Sequence, residues 1–400
     1  MRKNMDTHRT KIIVRNTSMI VLLVASLWGC ALTRGVKNIT GMDESIPIRG
    51  NLCRLSALEE ALADYQQIAL RGGWPQIPSG PTLGEGDEDK RIPLIRQRLT
   101  ASGELNSAKS TSYLFDRKLR KAVQRFQRHH GLTADGRVGG KTLHELNVSI
   151  GERIRQLDES LQGCRSLKPL EESRHIVVNI PDFTLTLFDG HHLLFSMPVI
   201  VGTPARQTPV FHSRIHALVI NPNWTVPQII ATEDLIPRVK KDPNHLKDSK
   251  FRILKDLKTN EEIDPDTIDW ENLSPEKLTY RFRQDSGPAN ALGRVKFLLP
   301  NPYDIYLHGT PGQSLFLKDI RAFSSGCIRL ARPLELAAYL LKGTPMDSER
   351  TLQAAISSEK TQKLTVPHPL DIYIIYMMAW VDEDGAVQFR PDIYKRHTAM

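Results

Sequence analysis

The spacing of apolar residues in the first half of the chain predicts helices. From residue 52 the apolar positions recur every three or four residues, as on one face of a helix: Leu52, Leu55, Leu58, Leu62 and Tyr65. The same period returns over residues 94–99, 115–129 and 154–167, with Gly- and Pro-containing breaks between the runs. We therefore expect a helical scaffold over residues 51–170.

At residue 176 the pattern changes to an alternation of apolar and polar residues, which is typical of strands. Short alternating runs separated by Gly and Pro turns then follow, at residues 176–180, 184–188, 195–201, 215–220, 295–299 and 372–381. Runs of this kind favour an antiparallel β-rich domain, sandwich-like or barrel-like. We place this domain at residues 174–345, and we expect strands within residues 346–400 to pack on it and on the helices.

The alternation lapses between residues 226 and 286. This stretch is charged, and it is helix-prone at residues 236–241 and 275–282. An insertion of this length inside a β domain is usually a lid or a binding subdomain rather than a plain loop. The predicted fold is thus α+β and multidomain, with a helical scaffold and a β-rich domain that carries a helical insertion.

The first thirty residues have the composition of an export signal. Basic residues precede an apolar run at residues 19–28, which is too short to span a bilayer but has the length of a signal-peptide core. The run ends at Leu27-Trp28-Gly29-Cys30, which resembles a lipobox. We expect the chain in the periplasm or cell envelope, anchored to the membrane if Cys30 is lipidated; plain cleavage and an uncleaved anchor are the alternatives. Residues 31–50 would form a tether.

The net charge of +9 suits an anionic partner, which could be nucleic acid, a membrane surface or an acidic wall polymer. No basic stripe interleaved with aromatic residues and no nucleic-acid-binding signature occurs in the sequence. We therefore expect no nucleic-acid partner.

The four cysteines are read in the light of export to an oxidising compartment. Cys53 and Cys164 flank one helical region and would form a disulfide, unless both are single buried cysteines. A disulfide there leaves Cys327 as a free thiol. No Cys-x-x-Cys pair and no zinc-type spacing occurs, so we predict neither a metal nor a cofactor.

One stretch combines a histidine, a cysteine and flanking glycines: His308-Gly309-Thr310-Pro311, followed by Ser324-Ser325-Gly326-Cys327-Ile328-Arg329-Leu330. Cys327 would be a nucleophile, and His308 would take its proton and pair with the thiolate. Gly326 would allow a tight turn whose N–H groups, from Ser325 to Cys327, converge on an oxyanion. Arg329 would add positive potential and hold a substrate carboxylate.

Other residues near this pair are weaker candidates. Trp224 and Tyr306 would line a substrate groove, with ordinary packing at strand ends as the alternative. Ser324 would bond within the Cys loop, in a substrate-binding or a purely structural role. No Asp or Asn is placed to fix the tautomer of His308, so the carbonyl of Gly309 is the candidate for that role.

Two segments resemble known families. His-Gly followed after a gap by Ser-x-Gly-Cys-Ile-Arg-Leu is the signature of the L,D-transpeptidase catalytic domain of the YkuD type. Residues 119–147, with Phe126-Gln127, Asp135-Gly136 and Val138-Gly139, resemble the three-helix peptidoglycan-binding module, which would span about residues 94–148. The export signal, this module and the long insertion are similar to the larger YcbB-type members.

This resemblance implies a cysteine-dependent peptidoglycan transpeptidase. Cys327 would be the nucleophile and His308 the base, with the Gly309 carbonyl as its orienter. The enzyme would release D-Ala from a stem tetrapeptide through a thioester and form 3→3 cross-links, and carbapenems would acylate it. Ser325 stands where many members carry His, so we expect it among the substrate-binding residues and expect no second His at the oxyanion site.

The acyl acceptor is not fixed by these motifs. Water as acceptor would make the chain an L,D-carboxypeptidase, and a protein Lys would make it a wall-protein attachment enzyme. A non-catalytic peptidoglycan-binding protein is the alternative from another functional class.

Overall fold

The computed structural model describes residues 53–106, 112–167, 173–190, 192–273 and 278–396. The predicted export segment and tether lie outside these residues. The helices are α1 Leu55–Leu70, α2 Ile92–Ala101, α3 Arg117–His129, α4 Gly140–Leu146, α5 Ile150–Leu167, α6 Gln228–Ile230, α7 Ile236–Lys241, α8 His245–Asp248, α9 Pro333–Leu340 and α10 Glu349–Ser357, with a π-helix at Ala231–Leu235. Within the described ranges, no helix has the length and apolar character needed to cross a bilayer.

Helices α2, α3 and α4 pack around one apolar core, as the helical period predicts. The face of α3 that points into this core is fully buried: Leu119, Val123 and Phe126. The Asp116 side chain accepts the N–H of Leu119 and caps the start of the helix. The helix is followed by Gly131 at φ +65°, a left-handed conformation that favours glycine at a helix end.

Helices α1 and α5 are joined by a disulfide between Cys53 and Cys164, as predicted. Their apolar faces pack with residues near the C-terminus of the chain, including Trp380 and Phe389. The C-terminal residues therefore connect the helical scaffold to the β-rich domain, because the strand Gln362–Ile375, which precedes them in the chain, belongs to the large sheet of that domain.

The strands are β1 Arg174–Asn179, β2 Thr184–Asp189, β3 His192–Gly202, β4 Phe211–Ile220, β5 Trp224–Thr225, β6 Phe251–Leu254, β7 Glu262–Ile263, β8 Arg281–Gln284, β9 Val295–Leu298, β10 Leu307–His308, β11 Ala322–Ser324, β12 Ile328–Leu330, β13 Gln362–Ile375, β14 Ala379–Val381 and β15 Val387–Phe389. Nine of them form one sheet in the order β11-β3-β12-β10-β9-β4-β13-β1-β2. Because β2 also pairs with β3, the sheet closes on itself. Of the two predicted arrangements of the β-rich domain, the closed sheet corresponds to the barrel-like one and not to the sandwich.

Two features of this sheet differ from the prediction. Three strand pairs are parallel, namely β1–β13, β10–β12 and β3–β11, whereas alternation and hairpin turns predicted an antiparallel arrangement. In addition, β13 lies between β4 and β1, so the sheet extends beyond the boundary predicted at residue 345. Both features depend on pairing between distant segments, which the period of apolar residues along the chain does not reveal.

The insertion forms a small subdomain with its own apolar core. Its four strands pair in the order β5-β8-β6-β7, and helices α6 to α8 pack beside them. The helix predicted at residues 236–241 is confirmed. The helical prediction for residues 275–282 is wrong at its described end, because β8 begins at Arg281 and buries Phe282 against the subdomain core. Residues 274–277 lie outside the described part of the chain.

Candidate active site

Three neighbouring strands bring the predicted residues together. β10 pairs antiparallel with β9 and parallel with β12. This register sets His308 opposite Lys296 on one side and opposite Arg329 on the other. Cys327 immediately precedes β12, and His308 is the last residue of the neighbouring strand β10. The sheet thus brings the two predicted catalytic side chains into one region.

The loop that carries Cys327 is held by hydrogen bonds. Gly326 has φ +109°, a conformation that other residues rarely adopt. Its carbonyl accepts the hydroxyl of Thr208 at 2.7 Å. The Ser324 hydroxyl accepts the N–H of Gly326 at 3.2 Å and donates to the carbonyl of Cys327 at 2.5 Å. Ser324 therefore bonds within the Cys loop, as predicted. Because the Gly326 N–H is bonded to Ser324, it is not free for an oxyanion, and that part of the prediction is corrected.

His308 is buried and fixed in one tautomer. Its Nδ1 lies 2.5 Å from the carbonyl of Gly309, and since a carbonyl only accepts, Nδ1 carries the proton. The predicted orienting hydrogen bond is therefore present, and Nε2 holds the lone pair. Burial, and then the charge of Arg329, lower the pKa of His308 to about 3, although the bond to Gly309 acts in the opposite direction. The imidazole is thus neutral at neutral pH.

Cys327 is half-buried and carries the free thiol of the described residues. Its Sγ lies 3.8 Å from the carbonyl of Asp304. Burial raises the pKa of the thiol, and the backbone N–H and hydroxyl of Tyr306 together with the charges of Lys296 and Arg329 partly oppose that shift. Both shifts favour the thiol and the neutral imidazole over the predicted pair of thiolate and imidazolium.

A cavity of about 1490 Å³ lies between the barrel and the insertion. The predicted residues that line it are Trp224, Tyr306, His308, Ser324, Ser325, Cys327 and Arg329. Trp224 also hydrogen-bonds to the hydroxyl of Tyr306, so a residue at the start of the insertion touches a residue that touches the thiol. Trp224 and Tyr306 line this cavity, and their contact with a substrate stays a prediction. Gly309 and Gly326 shape the site through their backbones.

Two cationic residues at this site were not predicted. Arg206 donates to the Ser325 hydroxyl at 2.8 Å and forms ion pairs at 2.5 Å with Glu233 and Asp234 of the insertion. It thereby joins the insertion to the Cys loop. Lys296 is half-buried, with its Nζ 3.7 Å from the centre of the Tyr306 ring. The alternation of Val295-Lys296-Phe297 places Lys296 on the outer face of the barrel, a signal that the sequence did contain.

No group of three or more His, Cys, Asp or Glu side chains with the geometry of a metal site occurs in the described ranges. The chemistry that these residues can perform is attack by a thiol with a neutral imidazole nearby. A buried, cation-lined cavity also suits a substrate that carries carboxylates.

Comparison with known families agrees with this chemistry. Residues 173–347 match the family described as "L,D-transpeptidase catalytic domain" (YkuD). The chain carries a YkuD-type L,D-transpeptidase catalytic domain. Residues 88–146 match the family "Putative peptidoglycan binding domain". This match overlaps the module predicted at about residues 94–148, whereas the YcbB-type subtype stays a prediction.

One curated relative is similar to the L,D-transpeptidase domain and its surroundings. The "Putative L,D-transpeptidase" of Haemophilus influenzae is 39% identical over 219 residues. The aligned part covers 55% of this chain and 44% of the relative. The chain thus spans less than half the length of that relative.

Solved L,D-transpeptidases show a weaker similarity. An L,D-transpeptidase from Mycobacterium smegmatis is 14% identical, with 51% of this chain and 58% of that chain covered, at a TM-score of 0.23. An L,D-transpeptidase from Xylanimonas cellulosilytica is 12% identical, with 74% and 99% covered, also at 0.23.

Proposed function

We propose that the chain is a cysteine-dependent peptidoglycan L,D-transpeptidase that forms 3→3 cross-links. One observation carries this proposal: a single cavity contains the free thiol of Cys327 together with His308, whose Nδ1 is fixed by the Gly309 carbonyl so that Nε2 is the basic nitrogen. A thiol and an oriented imidazole are the parts needed for acyl transfer through a thioester.

The first half of the reaction would remove D-Ala from a stem tetrapeptide. Cys327 Sγ attacks the carbonyl carbon that joins the third residue to the terminal D-Ala, and His308 takes the thiol proton. The C–N bond breaks, and His308 returns the proton to the departing amine of D-Ala. A thioester between Cys327 and the third residue remains.

The second half would transfer the acyl group to another stem. The side-chain amine of a second stem attacks the thioester carbonyl, a new amide forms, and the sulfur leaves and regains a proton. This outcome requires that water reach the thioester more slowly than the amine does. We assign that role to the insertion, because it covers the cavity and Arg206 ties it to the Cys loop.

Substrate binding is assigned to the residues that line the cavity around the thiol. The guanidinium of Arg329 can hold a stem carboxylate, and Trp224 and Tyr306 offer aromatic surface. Ser325 contributes indirectly, since it is bonded to Arg206. The helical module at residues 88–146 would hold the peptidoglycan itself, both glycan and stems.

We also propose that the protein acts in the periplasm or cell envelope. The sequence of residues 1–30 supports export, and a lipidated Cys30 would anchor the chain to the membrane. The disulfide between Cys53 and Cys164 supports the same location, because structural disulfides persist in oxidising compartments.

Purified protein incubated with disaccharide-tetrapeptide monomers tests this proposal. Mass spectrometry should detect cross-linked dimers joined between third residues, together with one free D-Ala for each dimer. Cys327→Ala is the matched control, and it should fold while giving neither product. Tripeptide monomers without dimers would show that water is the acceptor, as in an L,D-carboxypeptidase. Absence of both products with folded wild-type protein would rule out the enzyme and leave the non-catalytic binding function.

A further inference from the structure

A lysine that the predicted site lacked lies beside the nucleophile. Lys296 on β9 is directly opposite His308 on β10, and it faces the same cavity as the Cys327 thiol. Its ammonium nitrogen lies 3.7 Å from the centre of the Tyr306 ring. The backbone N–H and the hydroxyl of the same tyrosine lie close enough to the Cys327 sulfur to favour its thiolate. Lys296 and Cys327 therefore both lie next to Tyr306.

The thiol needs a cation to ionise inside this cavity, because burial disfavours a thiolate. The titratable and charged groups that face Cys327 come from β9, β10, β12 and the loop before β10: Lys296, Tyr306, His308, Arg329 and Asp304. His308 lies between Lys296 and Arg329 in the strand register, so a proton on its ring would place a third positive charge in that row. The imidazolium is thus disfavoured, and the permanent cations remain.

Within the described part of the chain, no carboxylate lies at ion-pair distance from the Lys296 ammonium. The two negative groups that act on its ammonium are Cys327 and Asp304. A half-buried ammonium is only partly compensated by an aromatic ring. Ionisation of Cys327 therefore stabilises both groups, which makes the lysine and the cysteine a coupled pair.

We propose that Lys296 is a positioning residue for the reaction: its ammonium stabilises the negative charge that develops on the Cys327 sulfur. In the free protein the thiol proton passes to solvent. The inference rests on the proposed function only in taking Cys327 as the nucleophile. The positive charge of Arg329 on β12 also stabilises the thiolate. Because Arg329 and Lys296 lie on different strands, substitution of each residue alone separates the two contributions.

Alkylation of Cys327 by iodoacetamide measures this effect without any peptidoglycan. The rate is followed against pH by mass spectrometry of the Cys327 peptide, because the thiolate is the reacting form and iodide leaves as the S–C bond forms. Lys296→Met should move the inflection of the pH–rate profile upward by at least one pH unit. At pH 7 it should slow alkylation by about tenfold or more, since one pKa unit is a factor of ten.

Matched variants separate charge from packing. Lys296→Arg should keep an inflection close to that of the wild type, because the positive charge is retained. Lys318→Met removes an exposed cation from the loop between His308 and Cys327, and it should leave the profile unchanged. His308→Gln should move the inflection less than Lys296→Met does, because the ring is neutral.

Three results would overturn the proposal. The first is an unchanged pH–rate profile in folded Lys296→Met. The second is a slowing of alkylation in Lys296→Arg equal to that in Lys296→Met. The third is a larger shift of the inflection in His308→Gln than in Lys296→Met. Should Lys296→Met fail to fold, Lys296→Gln and Lys296→Arg make the same comparison. Failure of the cross-linking assay would leave this measurement unaffected, so the two proposals fail independently.

Discussion

The protonation state of His308 is the property on which the site depends most closely. A base must be unprotonated before it can accept a proton, and burial together with Arg329 keeps this ring neutral over the physiological range. Between pH 6.5 and about 3, the ring is therefore protonated in the unfolded chain but stays neutral in the folded one. Stability must therefore depend on pH through this residue.

The expected pH dependence follows from the sign of that shift. The pKa of His308 is lowered to about 3 in the folded protein from 6.5, so between these values the unfolded chain binds more protons. Stability should fall as pH drops from about 6.5 to 5, before most carboxylates titrate. The buried ring of His130 acts in the same direction, because burial also lowers its pKa.

Urea unfolding at pH 7.0, 6.0 and 5.0 measures this effect. The wild type should lose roughly 1–3 kcal/mol over the interval, since one pKa unit corresponds to about 1.4 kcal/mol. His308→Gln should lose less than the wild type over the same interval. A slope that is the same in both proteins would show that the ring is already charged or exposed in the folded state.

Single residues also show what the sequence could reveal. Cys327, His308 and Gly309 were predictable because residue type and adjacency in the chain carry their chemistry. Arg206 was not, because its role is an interaction between segments that are joined only in the fold: it bonds to Ser325, 119 residues later. The role of Lys296 likewise depends on the register of β9 against β10.

At the scale of elements, local patterns predicted helices and strands better than their pairing. Helix α3 followed from its apolar face, which is a local pattern. The parallel pairs of the barrel and the central place of β13 are contacts between distant segments, which no local period specifies. In the insertion, the helical prediction at β8 failed because a single buried Phe282 and strand pairing outweighed local propensity.

The disulfide between α1 and α5 is the element-scale feature whose removal has the clearest expected effect. It joins residues 111 apart, and closing a loop of about 100 residues stabilises a fold by up to ~4.7 kcal/mol, with 2–5 kcal/mol the usual loss on removal. A double variant, Cys53→Ser with Cys164→Ser, should therefore unfold at a clearly lower urea concentration.

Carbapenem acylation of Cys327 should persist in that double variant at low temperature, because the disulfide packs with the helical core and not with the cavity. Unchanged unfolding would show that the helices are held by packing alone. Loss of acylation in folded protein would show that the scaffold shapes the site.

At the scale of the whole molecule, the helical region and the barrel are joined by polar contacts as well as by apolar packing. Asp319, in the loop between His308 and Cys327, accepts the Thr133 hydroxyl at 2.7 Å and pairs with Lys141 at 2.6 Å. Arg390 donates to Asp182 of the barrel at 2.6 Å. The segment that matches the peptidoglycan-binding family thus contacts the loop between His308 and Cys327.

The central claim is that Cys327, activated within this cavity, is the group that becomes acylated. A carbapenem carries a strained carbonyl that a thiolate opens, and the ring-opened drug stays attached as a thioester. Intact-mass spectrometry with peptide mapping after carbapenem treatment therefore tests the claim most directly. The account predicts one adduct with the mass of the drug, on Cys327, slower to form in His308→Gln and absent in Cys327→Ala. A folded wild-type protein that stays unmodified, or an adduct that persists in Cys327→Ala, would contradict it.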